Sequence, residues 1–171
     1  MRIPKAVFPI FLLLICGCMP YPVRFAHDLP NFHQVKKWIF RGGFPKEKGY
    51  ARLEEITVKT VVSLCADKEK VEWEQDQANI YDIAYINIPV DPAQGLNKVQ
   101  MDEIFKVLSD TQKQPLFIHC SDGKDITGAV IAIYRISVDG WSPEKAYSEA
   151  LEYGFNPKNE PLKKAIFGTG Q

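Results

Sequence analysis

The chain has 171 residues and a formal net charge of zero at pH 7, and this length suits one globular domain. Hydrophobic residues make up 46% and charged residues 25%, a balance that excludes a disordered or fibrous protein. Without a basic excess, the sequence gives no indication of a nucleic-acid-binding surface, and no nucleic acid is expected as a partner.

The first predicted element is an N-terminal export signal. Arg2 and Lys5 precede and flank the start of an apolar run, AVFPIFLLLI, which is too short to span a bilayer comfortably. The following Ile-Cys-Gly-Cys resembles a bacterial lipobox, in which Gly17 precedes the cleavage point and Cys18 becomes lipidated. A lipidated Cys18 predicts an exported protein anchored to a membrane of the bacterial cell envelope. The alternative is a plain signal peptide and a secreted or periplasmic protein.

Strands and helices alternate through the rest of the chain. The predicted strands are 38–43, 59–66, 83–90 and 114–120, and the predicted helices are 46–57, 68–82, 99–110, 127–138, 142–154 and 161–167. This alternation predicts a single α/β sandwich with a central mixed, mainly parallel sheet flanked by helices. The predicted organisation is a signal peptide over 1–17, a tether over 18–35 and one domain over 36–171.

The loop 119–128, HCSDGKDITG, joins the most apolar predicted strand to the most apolar predicted helix. Ligands bind at the carboxyl ends of such strands, where backbone amides and the helix dipole favour an anion. Cys120 lies at the start of this loop, where a thiol loses its proton readily and becomes a nucleophile. Gly123 lets the backbone turn close to a ligand, and Thr127 is placed to cap the helix near the sulfur. The alternative is a buried cysteine followed by a polar turn.

This loop resembles the signature H-C-x-x-G-x-x-R-[ST]-G of the cysteine-based protein tyrosine and dual-specificity phosphatases. The stretches FRGGFP, KTVVSLCAD and INIPVD are also similar to small bacterial dual-specificity-like members, so the resemblance covers about residues 36–155. It implies the phosphotyrosine phosphatase-like α/β fold, and hydrolysis of phosphomonoesters through a phosphocysteine intermediate on Cys120. The expectation is an enzyme of this family without a cofactor.

The resemblance also implies roles for individual residues. His119 would support the Cys120 thiolate through the loop, and Thr127 would help to expel the sulfur in the second step. Asp91, in PVDPAQG, would be the general acid, with Asp67 and Asp82 as weaker candidates. The positions that would bind the phosphate are Ser121, Asp122, Gly123, Lys124, Asp125 and Ile126.

Ile126 is the departure from the signature. In the family an arginine at this position grips two phosphoryl oxygens with its planar guanidinium. Lys124 is the only cation in the loop, between Asp122 and Asp125, and a lysine there also occurs in members that accept phosphoinositides. Three functions therefore stay open. The first is a phosphatase of reduced activity on phosphorylated proteins or phosphoinositide-like substrates. The others are an impaired pseudophosphatase acting as a binding or regulatory module, and sulfurtransferase-type thiol chemistry at Cys120.

Residues outside the loop supply three further candidates. Arg41, in FRGG, is a candidate supporting cation near the pocket, and Arg135 is a second arginine that would replace the absent one if the fold brought it close. Cys65 ends another predicted strand, and some phosphatases of this superfamily protect the nucleophile as a disulfide with such a cysteine. The alternative for Cys65 is a small apolar core residue. No cysteine–histidine cluster has metal-ligand spacing, so no metal site is predicted.

Overall fold

The computed structural model describes residues 24–169, so the predicted signal peptide and Cys18 lie outside the described residues. The strands are β1 (His33–Lys36), β2 (Ile39–Gly42), β3 (Thr60–Ser63), β4 (Ala84–Asn87) and β5 (Leu116–His119). The helices are α1 (Gly49–Glu55), α2 (Lys68–Ile80), α3 (Lys98–Ser109), α4 (Asp125–Ser137), α5 (Pro143–Glu152) and α6 (Glu160–Phe167). A short 3₁₀ helix spans Thr111–Lys113.

The strands form one sheet in the order β1-β2-β5-β3-β4, in which β1 is antiparallel and the other four are parallel. This confirms the predicted mixed, mainly parallel sheet. In the register of the parallel strands, His119 at the end of β5 lies beside Gly42 and Ser63, and Ser63 lies beside Asn87. All four parallel strands therefore end at the same level, and the loops that follow them meet at one edge of the sheet.

Helices cover both faces of the sheet, which explains why the central strands are buried throughout and mostly apolar. On one face, α3, α4, α5 and α6 pack against residues such as Val62 and Ile118. On the other face, α1, α2 and the N-terminal segment pack against Val61 and Phe117. Successive residues of a strand alternate between these two layers, so neighbouring side chains of β3 or β5 take part in different cores.

The segment before residue 36 differs from the predicted tether. Phe25, Leu29 and Phe32 are buried in the second core, and β1 pairs with β2. The Phe32 ring stacks on Phe40, with ring centroids 5.5 Å apart. The domain therefore begins before residue 36, because three large apolar side chains in this segment find partners that only the folded sheet supplies.

One further difference concerns a helix. α4 begins at Asp125 rather than 127, so Thr127 lies inside its first turn and does not cap it; Lys124 is the capping position and forms no side-chain cap. Among residues 24–169, no helix is both long and apolar enough to cross a membrane.

Candidate active site

A cavity of about 530 Å³ opens at the edge where the parallel strands end. Cys120 and Cys65 are both buried free thiols that line it. The other lining residues are Leu64, Ala66, Asp67, Val90, Pro92, Ser121, Asp122, Lys124, Asp125, Ile126, Gly154 and Asn156. The structure thus brings the predicted nucleophile and most of its loop to one cavity, and the disulfide between Cys65 and Cys120 stays a prediction.

Donors behind the loop fix its carbonyl groups. The amide of Phe44 donates to the Ser121 carbonyl at 3.0 Å. The Gly123 carbonyl accepts from Arg41 Nη2 at 2.7 Å and from Asn31 Nδ2 at 2.8 Å. In a planar trans peptide the N–H points opposite to the carbonyl, so the amides that follow Ser121 and Gly123 point away from these donors. Since the following residues line the cavity, the loop is a cradle of amides that suits an anion.

The loop can pack this closely because Gly123 has no side chain. Its φ is +69°, and a Cβ atom there would lie 2.3 Å from the carbonyl carbon of Gly42. Any other residue would collide with the backbone of the turn that follows β2. The glycine of the signature is therefore required by the contact between the two loops.

Arg41 supports the loop from behind and does not line the cavity. Its side chain is 1% exposed and its guanidinium lies 4.9 Å from the centre of the Tyr153 ring. Burial lowers the pKa of Arg41 to about 10. Among the described residues, its Nε and Nη1 have no hydrogen-bond partner. Arg135 is held elsewhere by Glu149 and Asp139. Neither arginine takes the place that Ile126 occupies in the cavity wall.

The charges in the cavity wall are mostly negative. Lys124 is the cation among the described lining residues, against the carboxylates of Asp67, Asp122 and Asp125. The Asp125 carboxylate accepts the amide of Asn156 at 2.7 Å, so it helps to attach the segment before α6. Partly buried Ile126 adds an apolar surface beside them. The amides of the loop attract an anion, whereas the side chains around them largely do not.

Asp91 lies next to this cavity rather than in it. Val90 and Pro92 line the cavity, but the exposed Asp91 carboxylate faces an adjoining one of about 340 Å³. There it accepts the amide of Ala93 at 2.9 Å and the side chain of Gln94 at 3.0 Å. Protonation of a leaving group by Asp91 therefore requires this turn to open.

Thr127 lies near the start of α4, and its role in expelling the sulfur stays a prediction. It is fully buried in the first turn of α4, and Oγ1 has no hydrogen-bond partner among the described residues.

The two weaker candidates for the general acid lie at the ends of α2. Asp67 caps this helix by accepting the amide of Lys70, whereas Asp82 follows the helix with a φ of +50° and does not line the cavity.

His119 connects the loop to a buried carboxylate. Its Nδ1 lies 3.3 Å from the Cys120 carbonyl oxygen, and its Nε2 lies 2.8 Å from Glu74 Oε1. Burial by itself would lower the pKa of His119, but the Glu74 charge and the contact with Cys65 outweigh it and raise the pKa to about 10. Glu74 thus favours the protonated form of the His119 ring.

Glu74 is a residue near the cavity that the sequence analysis did not indicate. Its helix has a mostly polar sequence, yet this side chain is fully buried. It accepts hydrogen bonds from Ser63 at 2.8 Å, Tyr85 at 3.2 Å and Tyr50 at 3.4 Å. The one sequence signal is its spacing of four residues from Ala78, which places the two on the same helix face.

The sequence is similar to a known family and to known phosphatases. The model of the tyrosine phosphatase family matches residues 28–166. The chain is 27% identical over 141 residues to the dual specificity protein phosphatase TpbA of Pseudomonas aeruginosa, covering 82% of this chain and 62% of that protein. It is 29% identical over 115 residues to the inositol diphosphatase DSP3 of Arabidopsis thaliana, covering 65% of this chain and 56% of that protein. The chain thus spans about three fifths of the length of these relatives.

Solved structures share the fold. The catalytic core of the PP-IP phosphatase SIW14 from S. cerevisiae superposes with a TM-score of 0.75 at 20% identity, covering 83% of this chain and 86% of that one. The crystal structure of P. aeruginosa TpbA superposes with a TM-score of 0.69 at 23% identity, covering 81% and 84%.

Proposed function

Because this chain belongs to the tyrosine phosphatase family, we propose that it hydrolyses phosphoric monoesters at Cys120 with an activity reduced by the absence of the loop arginine. One observation carries the proposal. The carbonyls of Ser121 and Gly123 are bound from behind, so the loop keeps its anion-binding amides although Ile126 has replaced the arginine.

The proposed reaction has two steps. The Cys120 thiolate attacks phosphorus and forms the phosphocysteine while the bond to the leaving oxygen breaks and Asp91 gives that oxygen its proton. Water then attacks phosphorus, the sulfur leaves with help from the Thr127 hydroxyl, and Asp91 takes the proton of the water. Thr127 is buried, and its hydroxyl has no hydrogen-bond partner among residues 24–169; both observations support its part in this scheme. Asp91 acts after its turn opens.

The substrate class follows from the relatives and from Lys124. One relative is named a dual specificity protein phosphatase and another an inositol diphosphatase. Phosphorylated proteins and phosphorylated inositols are therefore the two candidate classes for this chain. The exposed Lys124 adds a point charge to either phosphate but cannot reproduce a bidentate grip.

A second candidate function is a pseudophosphatase that binds without turnover. The observation in its favour is the apolar side chain of Ile126 in the cavity wall, beside three carboxylates and one lysine. Such a wall destabilises a phosphate dianion that is not otherwise neutralised. In this case the scaffold would be retained as a binding or regulatory module.

We also propose that the protein is exported and tethered to the bacterial cell envelope through a lipid on Cys18. The apolar run before Cys18 and the Gly17-Cys18 pair support this proposal. Mass spectrometry of the protein from membranes tests it, since an unmodified mature N-terminus would contradict lipidation.

Turnover of p-nitrophenyl phosphate by the full chain in non-denaturing detergent tests the proposed activity, with Cys120→Ser as the matched control. We expect slow hydrolysis that the control abolishes. Hydrolysis that survives Cys120→Ser would refute the phosphocysteine route. Binding of phosphate without turnover would favour the pseudophosphatase, and Cys120-dependent transfer of sulfur from thiosulfate to cyanide would favour the sulfurtransferase. A phosphotyrosine peptide and an inositol pyrophosphate, compared at equal concentration, separate the two substrate classes.

A further inference from the structure

Three buried side chains meet beneath the edge of the cavity, on the sheet face covered by α2. The ligand atoms of Cys65, Glu74 and His119 all lie within 4.8 Å of one another. We propose that these three residues bind a thiophilic divalent cation of the zinc class. The proposal is independent of the phosphatase activity, because it concerns metal binding by residues other than the nucleophile.

The set of ligands suits this class of ion. A thiolate, an imidazole and a carboxylate are the three ligand types that zinc takes in proteins. Zinc bonds of 2.0–2.3 Å at tetrahedral angles place ligand atoms about 3.3–3.6 Å apart. His119 Nε2 and Glu74 Oε1 are 2.8 Å apart, and the other pairs are within 4.8 Å. Side-chain movements of about 1 Å therefore bring all three atoms to bonding distance.

The orientation of His119 is that of a metal ligand. Its Nδ1 faces the Cys120 carbonyl at 3.3 Å, so a proton on Nδ1 can be donated there while Nε2 faces Cys65 and Glu74. Histidines that bind metals commonly use the second ring nitrogen in this way. Although Nε2 is close to Glu74, its N–H is not aligned for a hydrogen bond, and it has no such partner among the described residues. This nitrogen is fully buried and is aimed into the cluster.

Neighbouring groups hold the carboxylate in place. Ser63 and Tyr85 donate to Oε2 of Glu74 and Tyr50 donates weakly to Oε1. Supporting hydrogen bonds of this kind orient a carboxylate ligand and leave it a free lone pair. Glu74 thus has the support that a preformed site needs.

The cavity gives a cation a route to the cluster. Cys65 lines the cavity, and its sulfur lies 3.9 Å from the hydroxyl oxygen of Ser121. Asp67 and Asp122 in the same wall attract a cation and repel an anion. Ser121 or a water from the cavity can complete a fourth position. The acidic side chains that disfavour phosphate therefore line the route by which a cation reaches the metal site.

The charges balance when the ion binds. The Cys65 thiol loses one proton, the His119 imidazolium loses the other, and both protons go to solvent. The divalent ion with one thiolate, one carboxylate and one neutral imidazole is then neutral overall. Before the ion binds, the uncharged Cys65 thiol and the Glu74–His119 ion pair are together neutral as well. The buried region therefore keeps the same net charge.

Binding of Co²⁺ to the full chain tests the site, because cobalt takes the same tetrahedral ligands and absorbs light. The chain carries Cys16→Ser and Cys18→Ser and no affinity tag, which leaves Cys65 and Cys120 as its cysteines. We expect one Co²⁺ per chain, a thiolate-to-cobalt charge-transfer band, and loss of the band on adding Zn²⁺. The matched variants are Cys65→Ser, which removes the proposed ligand, and Cys120→Ser, which removes the nucleophile.

The two variants give opposite expectations. Cys65→Ser should lose the charge-transfer band and weaken binding at least about 100-fold, whereas Cys120→Ser should keep both. Absence of the band in the starting chain, or its loss in Cys120→Ser but not in Cys65→Ser, would overturn the proposal. Circular dichroism shows whether Cys65→Ser folds. If it does not, Glu74→Gln serves instead, and it should weaken binding while keeping the band; unchanged affinity there would also overturn the proposal.

Discussion

Replacing Ile126 by arginine gives this loop the residue that the family signature has at the same position. Ile126 is the second residue of α4 and lines the cavity together with Cys120 and Lys124. An arginine side chain at this position extends along the wall of the cavity, next to the amides of the loop. The perturbation therefore adds a forked cation to the anion cradle without moving the nucleophile.

The expected gain follows from the contacts that a guanidinium can make. Each hydrogen bond to a charged group contributes about 1.5–3 kcal/mol, and the fork forms two of them with phosphoryl oxygens. Asp122 and Asp125 compete with the phosphate for the guanidinium, which reduces this gain. We expect kcat/KM to rise at least about 100-fold, which corresponds to about 2.7 kcal/mol. Loss of the partly buried isoleucine should lower the free energy of unfolding by about 1 kcal/mol.

The assay is hydrolysis of p-nitrophenyl phosphate by the unaltered chain, Ile126→Arg, Ile126→Lys and Ile126→Met. The lysine variant supplies charge without the fork, and the methionine variant supplies neither. Arginine should exceed lysine, lysine should exceed methionine, and Cys120→Ser should abolish the gain. An arginine variant no faster than the methionine variant would refute the idea that the loop is a phosphate cradle lacking one group.

Three other perturbations test separate parts of the structure. The pKa of His119 is raised from 6.5 to about 10 in the folded chain, so its contribution to stability is full below pH 6.5 and is lost as the pH rises to about 10. Urea unfolding midpoints should therefore fall between these pH values, and Glu74→Gln should remove that fall. A flat profile in the unaltered chain would contradict the buried ion pair. Gly123→Ala should lower the free energy of unfolding by at least about 3 kcal/mol in urea titrations, because a Cβ there collides with backbone. Gly140→Ala, with a φ of +68° and no atom within 4 Å, should cost only about 1–2 kcal/mol, and equal costs would argue against the contact. Asp91→Asn should lower kcat about 100-fold or more for an alkyl phosphate and much less for p-nitrophenyl phosphate, whose leaving group needs no proton; equal losses for the two esters would exclude the general-acid role.

Much of the fold can be predicted from local patterns. The short apolar strand LFIH and the nearly uniform apolar helix after it give β5, α4 and the loop between them, since burial on two faces leaves no polar positions. Strand ends were less accurate, because β3 and β4 each have four residues where strands of eight residues, 59–66 and 83–90, were predicted. Leu64, Ile88 and Val90 lie just beyond the strand ends and are still buried in the core, and a hydrophobicity pattern does not distinguish such positions from strand residues.

Only the part of the candidate site that is continuous in the sequence could be predicted. His119 to Thr127 follow one another in the chain, so the signature could be compared residue by residue. Glu74 lies 45 residues before His119, and a single glutamate in a polar helix carries no local sign of being buried. Arg41 was named as a supporting cation, but its position behind Gly123 depends on the close contact of two loops.

The sequence by itself determined the α/β class, and it predicted a nucleophilic loop with Ile126 in place of the signature arginine, because each depends on neighbouring residues or on the periodicity of one element. The tertiary structure decided which charges surround the loop. It put Arg41 behind the loop, turned the Asp91 carboxylate into an adjoining cavity, and buried Glu74 against His119. These placements are set by the packing of distant segments across the sheet, where the cost of burying a charge selects its partner. No local pattern encodes that selection.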